Sequence, residues 1–192
     1  MKHTFIILAR TVAVCAFVIF LFPMLTHAQQ PAPSVQWEKF YGGNGEDVAS
    51  SIHQTVDGGY IATGYSNSTN GEVTGNHGEF DYWVIKIDHL GNLQWEKCFG
   101  GMWNDNASNE GETGNYVLQT NDGGYIISGA SNSADGEVTG HHGTTATTDY
   151  WIVKTDAAGN IQWENSFGGS SNDFPSTIRQ TNDGGYIVAG VT

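Results

Sequence analysis

Three copies of one pattern run through the chain, and this repetition constrains the fold more than any other feature. Each copy opens on Gln-Trp-Glu, with its tryptophan at Trp37, Trp95 or Trp163. An aromatic residue and Gly-Gly follow, and then an aspartate at Asp47, Asp105 or Asp173. Asp-Gly-Gly-Tyr comes next, with its aspartate at Asp57, Asp122 or Asp183. Self-similarity with a period of roughly 60 residues predicts similar units that build a common core by stacking.

Within each copy, the pattern predicts four short β-strands. Asp-Gly-Gly between two β-rich segments favours a hairpin, because glycine accepts the positive φ of tight hairpin turns. The turn aspartates are expected to accept backbone N–H bonds, which makes Asp57, Asp122 and Asp183 structural residues. The strands expected in the best-defined copy cover residues 51–55, 60–65, 82–88 and 93–99. A leading strand is expected at residues 35–41, where the first Gln-Trp-Glu stands.

Composition agrees with an all-β chain and limits its function. Glycine (26 residues) and aromatic residues (12%) are both abundant, as in strands joined by many tight turns. Only 14% of the residues are charged and the net charge is −13, which excludes a basic nucleic-acid-binding surface. Four antiparallel strands per repeat predict β-propeller blades, about two and a half of them in an incomplete ring. The alternative, a β-sandwich, leaves the tryptophan spacing unexplained.

A resemblance supports the propeller prediction. Residues 85–95 and 153–163 each join an Asp-x-x-Gly-Asn turn to the tryptophan, and they resemble the tryptophan-docking repeat of quinoprotein-like propellers. This resemblance implies that Trp37, Trp95 and Trp163 pack between neighbouring blades. The longer unit is similar to the DGGY repeats of large secreted bacterial surface proteins, many of which end in a type IX secretion sorting domain. The resemblance covers residues 35–192 and implies a fold but no activity.

The N-terminal segment predicts export from the cell. Residues 1–28 have a basic start with Lys2 and Arg10, an apolar stretch at 11–25, and small residues before a cleavage point at Ala28. The apolar stretch is shorter than the roughly 20 residues of a membrane span, although an uncleaved anchor is the alternative. We therefore expect a signal peptide at 1–28, a linker at 29–34 and propeller repeats at 35–192. The mature protein is expected outside the cell or on its outer surface, without a membrane span.

Two loops rich in oxygen-bearing side chains suggest a calcium site. Aligning Gly71 with the glycine of a calcium loop puts Ser66, Ser68 and Asn70 at ligand positions, but His77 replaces the expected bidentate glutamate. The calcium ligands considered are Asn70, Glu72, Asp135 and Glu137. The alternative, a self-bonded turn, fits the sequence better. The equivalent histidines His77 and His142 indicate structural or surface roles, because each loop brings one or two imidazoles and no cysteine.

Three further groups of residues are candidates for binding or chemistry. Asp47, Asp105 and Asp173 would suit glycosidase chemistry if two carboxylates lay within roughly 5–9 Å, but their presence in every copy favours a turn role. The glutamates that follow the tryptophans, Glu38, Glu96 and Glu164, are expected to face solvent. Trp103 stands in a loop at a place where the other copies carry Gly45 and Ser171. It is expected either to stack on a sugar or to cover a blade edge.

Together these features favour a secreted or cell-surface module that binds glycans or proteins, or acts as a scaffold. The alternative is part of a secreted enzyme, either a glycoside-active or a quinone-dependent propeller. No catalytic triad, phosphate-binding loop or zinc motif is present in the sequence. We also expect this chain to be a fragment whose remaining blades belong to a longer chain, because a propeller has typically four to eight blades.

Overall fold

The computed structural model describes residues 32–105 and 115–192. The predicted signal peptide 1–28 and the first part of the linker lie outside these residues. The chain divides into two compact units, residues 1–40 and residues 41–192. In the first unit, residues 32–40 form no regular secondary structure and are mostly exposed. All of the strands described below belong to the second unit.

The second unit is all-β, as predicted, and its described residues contain no helix. Its strands are β1 (Asp47–Gln54), β2 (Tyr60–Ser66), β3 (Asp81–Ile87), β4 (Leu93–Phe99), β5 (Tyr116–Gln119), β6 (Tyr125–Ser131), β7 (Asp149–Thr155), β8 (Ile161–Phe167), β9 (Phe174–Gln180) and β10 (Tyr186–Val191). They form three open antiparallel sheets in chain order: sheet 1 (β1–β4), sheet 2 (β5–β8) and sheet 3 (β9–β10). None of the sheets closes on itself.

The predicted leading strand at residues 35–41 is not formed. A strand needs a hydrogen-bonded neighbour, and its equivalents in the later copies, β4 and β8, pair with the strands β3 and β7 that precede them. The sequence ahead of residue 35 has no counterpart of β3. The other strands of the best-defined copy lie where they were predicted, although β1 begins at Asp47, before its predicted start at residue 51.

Neighbouring sheets pack face to face through apolar side chains. Sheets 1 and 2 share a buried cluster that includes Ile61, Val84 and Ile127, and the rings of Tyr82 and Trp151 lie 4.8 Å apart within it. Sheets 2 and 3 meet at Ile126, Ile152 and Ile178. Each sheet therefore buries apolar side chains against a neighbouring repeat, as expected for units that build a common core by stacking.

Antiparallel topology separates the connections into two ends. The loop end carries the long connections 67–80, 100–105, 132–148 and 168–173. The turn end carries the tight turns at 55–59, 88–92, 120–124, 156–160 and 181–185. The variable polar and aromatic residues of the sequence belong to the loop end, whereas the repeated Asp-Gly-Gly turns lie at the opposite end.

Candidate functional site

The aspartate after each Gly-Gly holds the loop end together. In the first copy, the Asp47 carboxylate accepts the backbone N–H of Gly43 at 2.8 Å. It also accepts the hydroxyls of Ser66 at 2.5 Å and Ser68 at 2.9 Å. These serines lie where β2 leads into the long loop. Asp47 therefore joins the Gly-Gly segment, the start of β1 and the loop that follows β2.

Asp105 repeats this arrangement in a fully buried setting. Its carboxylate accepts the Gly101 N–H at 2.6 Å and the hydroxyls of Ser131 and Ser133. Burial raises the pKa of Asp105 to about 7, against the lowering effect of these hydrogen bonds, and Asp81 raises it further. Asp173 is also buried and accepts the Gly169 N–H at 2.8 Å. The two buried aspartates thus serve as anchors for backbone and face away from solvent.

A second buried aspartate stands beside each anchor. Asp81 and Asp105 both lie within 2.7 Å of the point that a Cβ on Gly100 would occupy. Asp149 and Asp173 enclose Gly168 in the same way, at 2.5 Å. A side chain larger than hydrogen would collide with both carboxylates, which explains the glycine at this place in the repeat. Paired carboxylates are the arrangement a glycosidase requires, but these pairs are buried inside the junctions.

The calcium candidates accept hydrogen bonds from backbone amides, and two of them bind the Gly-Gly segments. Glu72 accepts the Gly42 N–H at 3.1 Å, and Glu137 accepts the Gly100 N–H at 2.9 Å. Asp135 accepts the N–H of Met102 at 2.8 Å. The backbone carbonyl of Asn70 accepts the Val73 N–H at 3.3 Å. Across residues 32–105 and 115–192, no group of three or more His, Cys, Asp and Glu side chains is placed to hold a metal ion.

The glutamates that follow the tryptophans do not share one environment. Glu38 is exposed, as expected. Glu96 instead accepts the indole N–H of Trp83 at 3.1 Å and the hydroxyl of Thr74, and Glu164 accepts the indole N–H of Trp151 at 2.7 Å. Both glutamates are half-buried, so they face solvent only in part while their carboxylates accept these hydrogen bonds. An indole N–H that is largely buried needs an acceptor, and the glutamate on the adjacent strand supplies it.

Two buried lysines support the turn end, and sequence reasoning missed them. Lys86 is 3% exposed, and its ammonium donates to Asp57 at 2.9 Å and to the side-chain oxygen of Gln94 at 2.9 Å. Lys154 makes the equivalent contacts with Asp122 and Gln162. A lysine at the same place in two apolar strands is the signal that would have revealed them, because a buried ammonium requires paired acceptors.

Hydrogen bonds lower the pKa values of the three turn aspartates. The pKa of Asp57 falls to about 2, first because the Thr55 hydroxyl donates to it and second because Lys86 does. Asp122 shows the same pKa, with Thr120 and Lys154 as the donors. Asp183 also has a lowered pKa, which its hydrogen bonds with Thr181 and Gly185 explain. These contacts agree with the structural role predicted for the three turn aspartates.

Trp95 and Trp163, the repeat tryptophans of the second unit, each contact the following sheet. The Trp95 ring lies 5.6 Å from the ring of Tyr125, and its six-membered ring borders Gly159 in the turn between β7 and β8. The Trp163 ring lies 5.8 Å from that of Tyr186. Each tyrosine comes from the Asp-Gly-Gly-Tyr of the next copy. Trp37 lies in the first unit, where it is half-buried.

Trp103 is an exposed aromatic residue within a loop-end connection. Its side chain is 41% exposed, and the neighbouring Met102 is 59% exposed. The backbone N–H of Trp103 donates to the Ser133 hydroxyl at 3.1 Å, and Asn104 forms a β-bridge with Phe80. The loop backbone is thus fixed while the indole remains accessible, which is an arrangement suited to contact with a ligand.

A polar cavity of about 430 Å³ lies between sheet 1 and the second repeat. Its lining includes His77, Glu96, Cys98, Glu137 and Asn160. Burial raises the pKa of the Cys98 thiol far above its usual range, and nearby carboxylates raise it further. Cys98 is therefore a neutral thiol at physiological pH and not a nucleophile. The cavity offers imidazole and carboxylate groups in place of a reactive sulfur.

No protein family and no curated protein matches this sequence. Among the described residues, none forms a helix with the length and hydropathy needed to cross a membrane.

Proposed function

We propose that the chain is a secreted, propeller-type repeat module that binds ligands at its loop end and presents them without chemical turnover. Two observations support propeller blades over a sandwich. The sheets stack in chain order, and Trp95 and Trp163 each pack on the following sheet. The resemblance to secreted DGGY-repeat proteins supports an extracellular or outer-surface location. The remaining blades of a longer chain would cover the faces of sheets 1 and 3 that no described sheet covers.

Exposed Trp103 is the observation that carries the binding proposal. The repeated carboxylates, by contrast, are used to hold backbone amides and serine hydroxyls, and Asp105 is fully buried. An indole presents a flat apolar surface with a polar N–H, which suits the apolar face and the hydroxyls of a sugar ring. The ligand proposed for the loop end is therefore a glycan, with a protein surface as the other partner class.

A glycan-array screen followed by titration calorimetry tests the proposal. The Trp103→Ala variant is expected to bind the selected glycan roughly tenfold more weakly or worse, because hot-spot aromatic side chains typically contribute more than 1 kcal/mol. Leu90→Ala is the matched control, since Leu90 is 56% exposed in a turn at the opposite end of sheet 1. Equal binding by wild type and Trp103→Ala would contradict the proposal.

The enzyme alternative has its own test. The buried pairs Asp81–Asp105 and Asp149–Asp173 are the carboxylates closest to glycosidase chemistry. Glycosidase and quinone-linked dehydrogenase assays on the protein are expected to show no turnover. Turnover that a single change such as Asp105→Asn abolishes would favour the enzyme, because acid–base groups contribute roughly 10²–10⁴-fold each.

A further inference from the structure

His77 is held in a fixed orientation at the junction between sheets 1 and 2. Its ring Nδ1 lies 2.7 Å from Oδ2 of Asp81, and its backbone N–H donates to the same oxygen at 2.9 Å. Asp81 is fully buried, whereas the His77 side chain is 37% exposed. A carboxylate acceptor places the ring proton on Nδ1, and in the neutral ring this leaves the lone pair on Nε2. Nε2 is therefore a preset ligand atom at the cavity.

Glu137 reaches the same place from the second repeat. Its Oε2 accepts the Gly100 N–H at 2.9 Å, which leaves Oε1 directed elsewhere. Oε1 lies 3.5 Å from Nε2 of His77. The Glu137 side chain is 34% exposed, so solvent reaches this pair of atoms. Each group is thus fixed through its other polar atom by a contact that does not involve its partner.

The distance of 3.5 Å between Nε2 of His77 and Oε1 of Glu137 indicates what kind of contact the two atoms can make. A charge-assisted hydrogen bond is shorter, about 2.7–2.9 Å. Two ligands of a tetrahedral zinc ion, each about 2.0–2.2 Å from the metal, lie about 3.4 Å apart. We propose that Nε2 of His77 and Oε1 of Glu137 together bind a borderline divalent metal ion such as Zn²⁺ at the junction between the first two repeats.

The surroundings supply the remaining features of such a site. A histidine ligand characteristically donates its second ring N–H to a carboxylate, as His77 does to Asp81. The pair supplies two protein ligands, fewer than the three of a catalytic zinc site, so binding is expected to be weak, and waters in the adjoining cavity of about 430 Å³ would complete the coordination. Imidazole and carboxylate ligands suit zinc and copper better than calcium, which takes oxygen ligands alone. The neutral Cys98 thiol is not needed as a ligand.

The junction between sheets 2 and 3 provides an internal control. His142 is the counterpart of His77, and its Nδ1 lies 2.8 Å from the buried Asp149. Within the described part of the chain, no glutamate forms an ion pair with His142 in the way that Glu137 does with His77. His142 thus has the orienting carboxylate without the second ligand. A variant at His142 changes the same kind of histidine and spares the proposed site.

Titration calorimetry with Zn²⁺ on the full chain, with Co²⁺ absorption as a second readout, tests the proposal. We expect His77→Ala and Glu137→Gln each to weaken binding roughly tenfold or more, and the double variant to lose little beyond either single change. Glutamine at position 137 keeps an oxygen for the Gly100 N–H. The circular dichroism spectrum of the metal-free Glu137→Gln variant is therefore expected to match that of wild type. His142→Ala is expected to bind Zn²⁺ like wild type.

Three results would overturn the site. The first is the absence of saturable Zn²⁺ binding. The second is an equal loss of affinity in His142→Ala and His77→Ala, which would place the metal elsewhere. The third is a lower melting temperature for His77→Ala together with no effect of Zn²⁺ on the melting temperature of wild type or variant. That result would show that His77 and Glu137 form only an ion pair between repeats. None of these results depends on glycan binding, so the two proposals fail separately.

Discussion

At the scale of single residues, Asp105 couples folding to pH. Burial raises its pKa from 3.8 to about 7, so the folded protein holds a proton on this group more tightly than the unfolded chain does. The resulting stability is fully present below about pH 4 and is lost as the pH rises towards 7. Burial raises the pKa of Asp81 as well, which acts in the same direction.

We therefore predict that the free energy of unfolding falls between pH 4 and pH 7, and that Asp105→Asn flattens this slope. Urea denaturation at stepped pH values measures both. Asp88→Asn is the control, because backbone and side-chain hydrogen bonds from Asn92 lower the pKa of Asp88 and its effect is confined to more acidic pH. A slope that Asp105→Asn leaves unchanged would show that this carboxyl is not its source.

At the scale of elements, the β1–β2 hairpin is tied to β3 and β4 by one ammonium group. Lys86 is buried and donates to Asp57 in the turn, to Gln94 in β4 and to the carbonyl of Ile87. Removing one partner of a buried ion pair leaves a charge without compensation, whereas removing both costs less. The Asp57 side chain is half exposed, which reduces the expected penalty.

Asp57→Ala is therefore predicted to lower the free energy of unfolding by about 1–2 kcal/mol, and Lys86→Met in the same chain to recover part of that loss. Guanidinium denaturation of the two single variants and the double variant completes the cycle. Asp183→Ala is the matched control, because Asp183 makes the same Thr-Asp-Gly turn contacts and no ion pair with a lysine among the described residues. Additive effects of Asp57→Ala and Lys86→Met would refute the coupling.

At the scale of the whole molecule, sheet 3 has an unpaired strand edge among the described residues. It has two strands, and β10 pairs with β9 alone. Ile187 is 61% exposed and Val191 is 57% exposed on β10, and Phe167 is 52% exposed on β8. A strand edge with exposed apolar side chains is a template for pairing with another chain.

We predict that the chain associates with itself as its concentration rises, and that Ile187→Lys reduces this association because a charge on an edge strand opposes pairing. Sedimentation velocity over a hundredfold range of concentration gives the measurement. Val56→Lys is the control, since Val56 is even more exposed, at 93%, but lies in a turn. A single monomeric species for the unaltered chain at all concentrations would contradict the prediction.

The repeat by itself determined much of this molecule. Asp-Gly-Gly flanked by alternating apolar residues specifies a hairpin through local backbone preference, so the turns at 55–59, 120–124 and 181–185 were predictable from sequence. The alternating pattern of β3 and β4 likewise predicted their strands and the apolar faces that stack. The same reasoning failed at residues 35–41, because a strand forms only where a neighbour supplies hydrogen bonds, and sequence pattern does not show the neighbour.

Only the tertiary structure decided which polar groups meet. His77 comes from the first repeat and Glu137 from the second, and their free atoms come within 3.5 Å because the sheets stack. Searching each loop for a complete ligand set therefore could not find the pair. Lys86 and Asp57 also meet across two hairpins, far apart in the chain. Local preferences of the backbone can be read from sequence, but contacts between repeats depend on how the sheets are stacked, and those contacts form the candidate site.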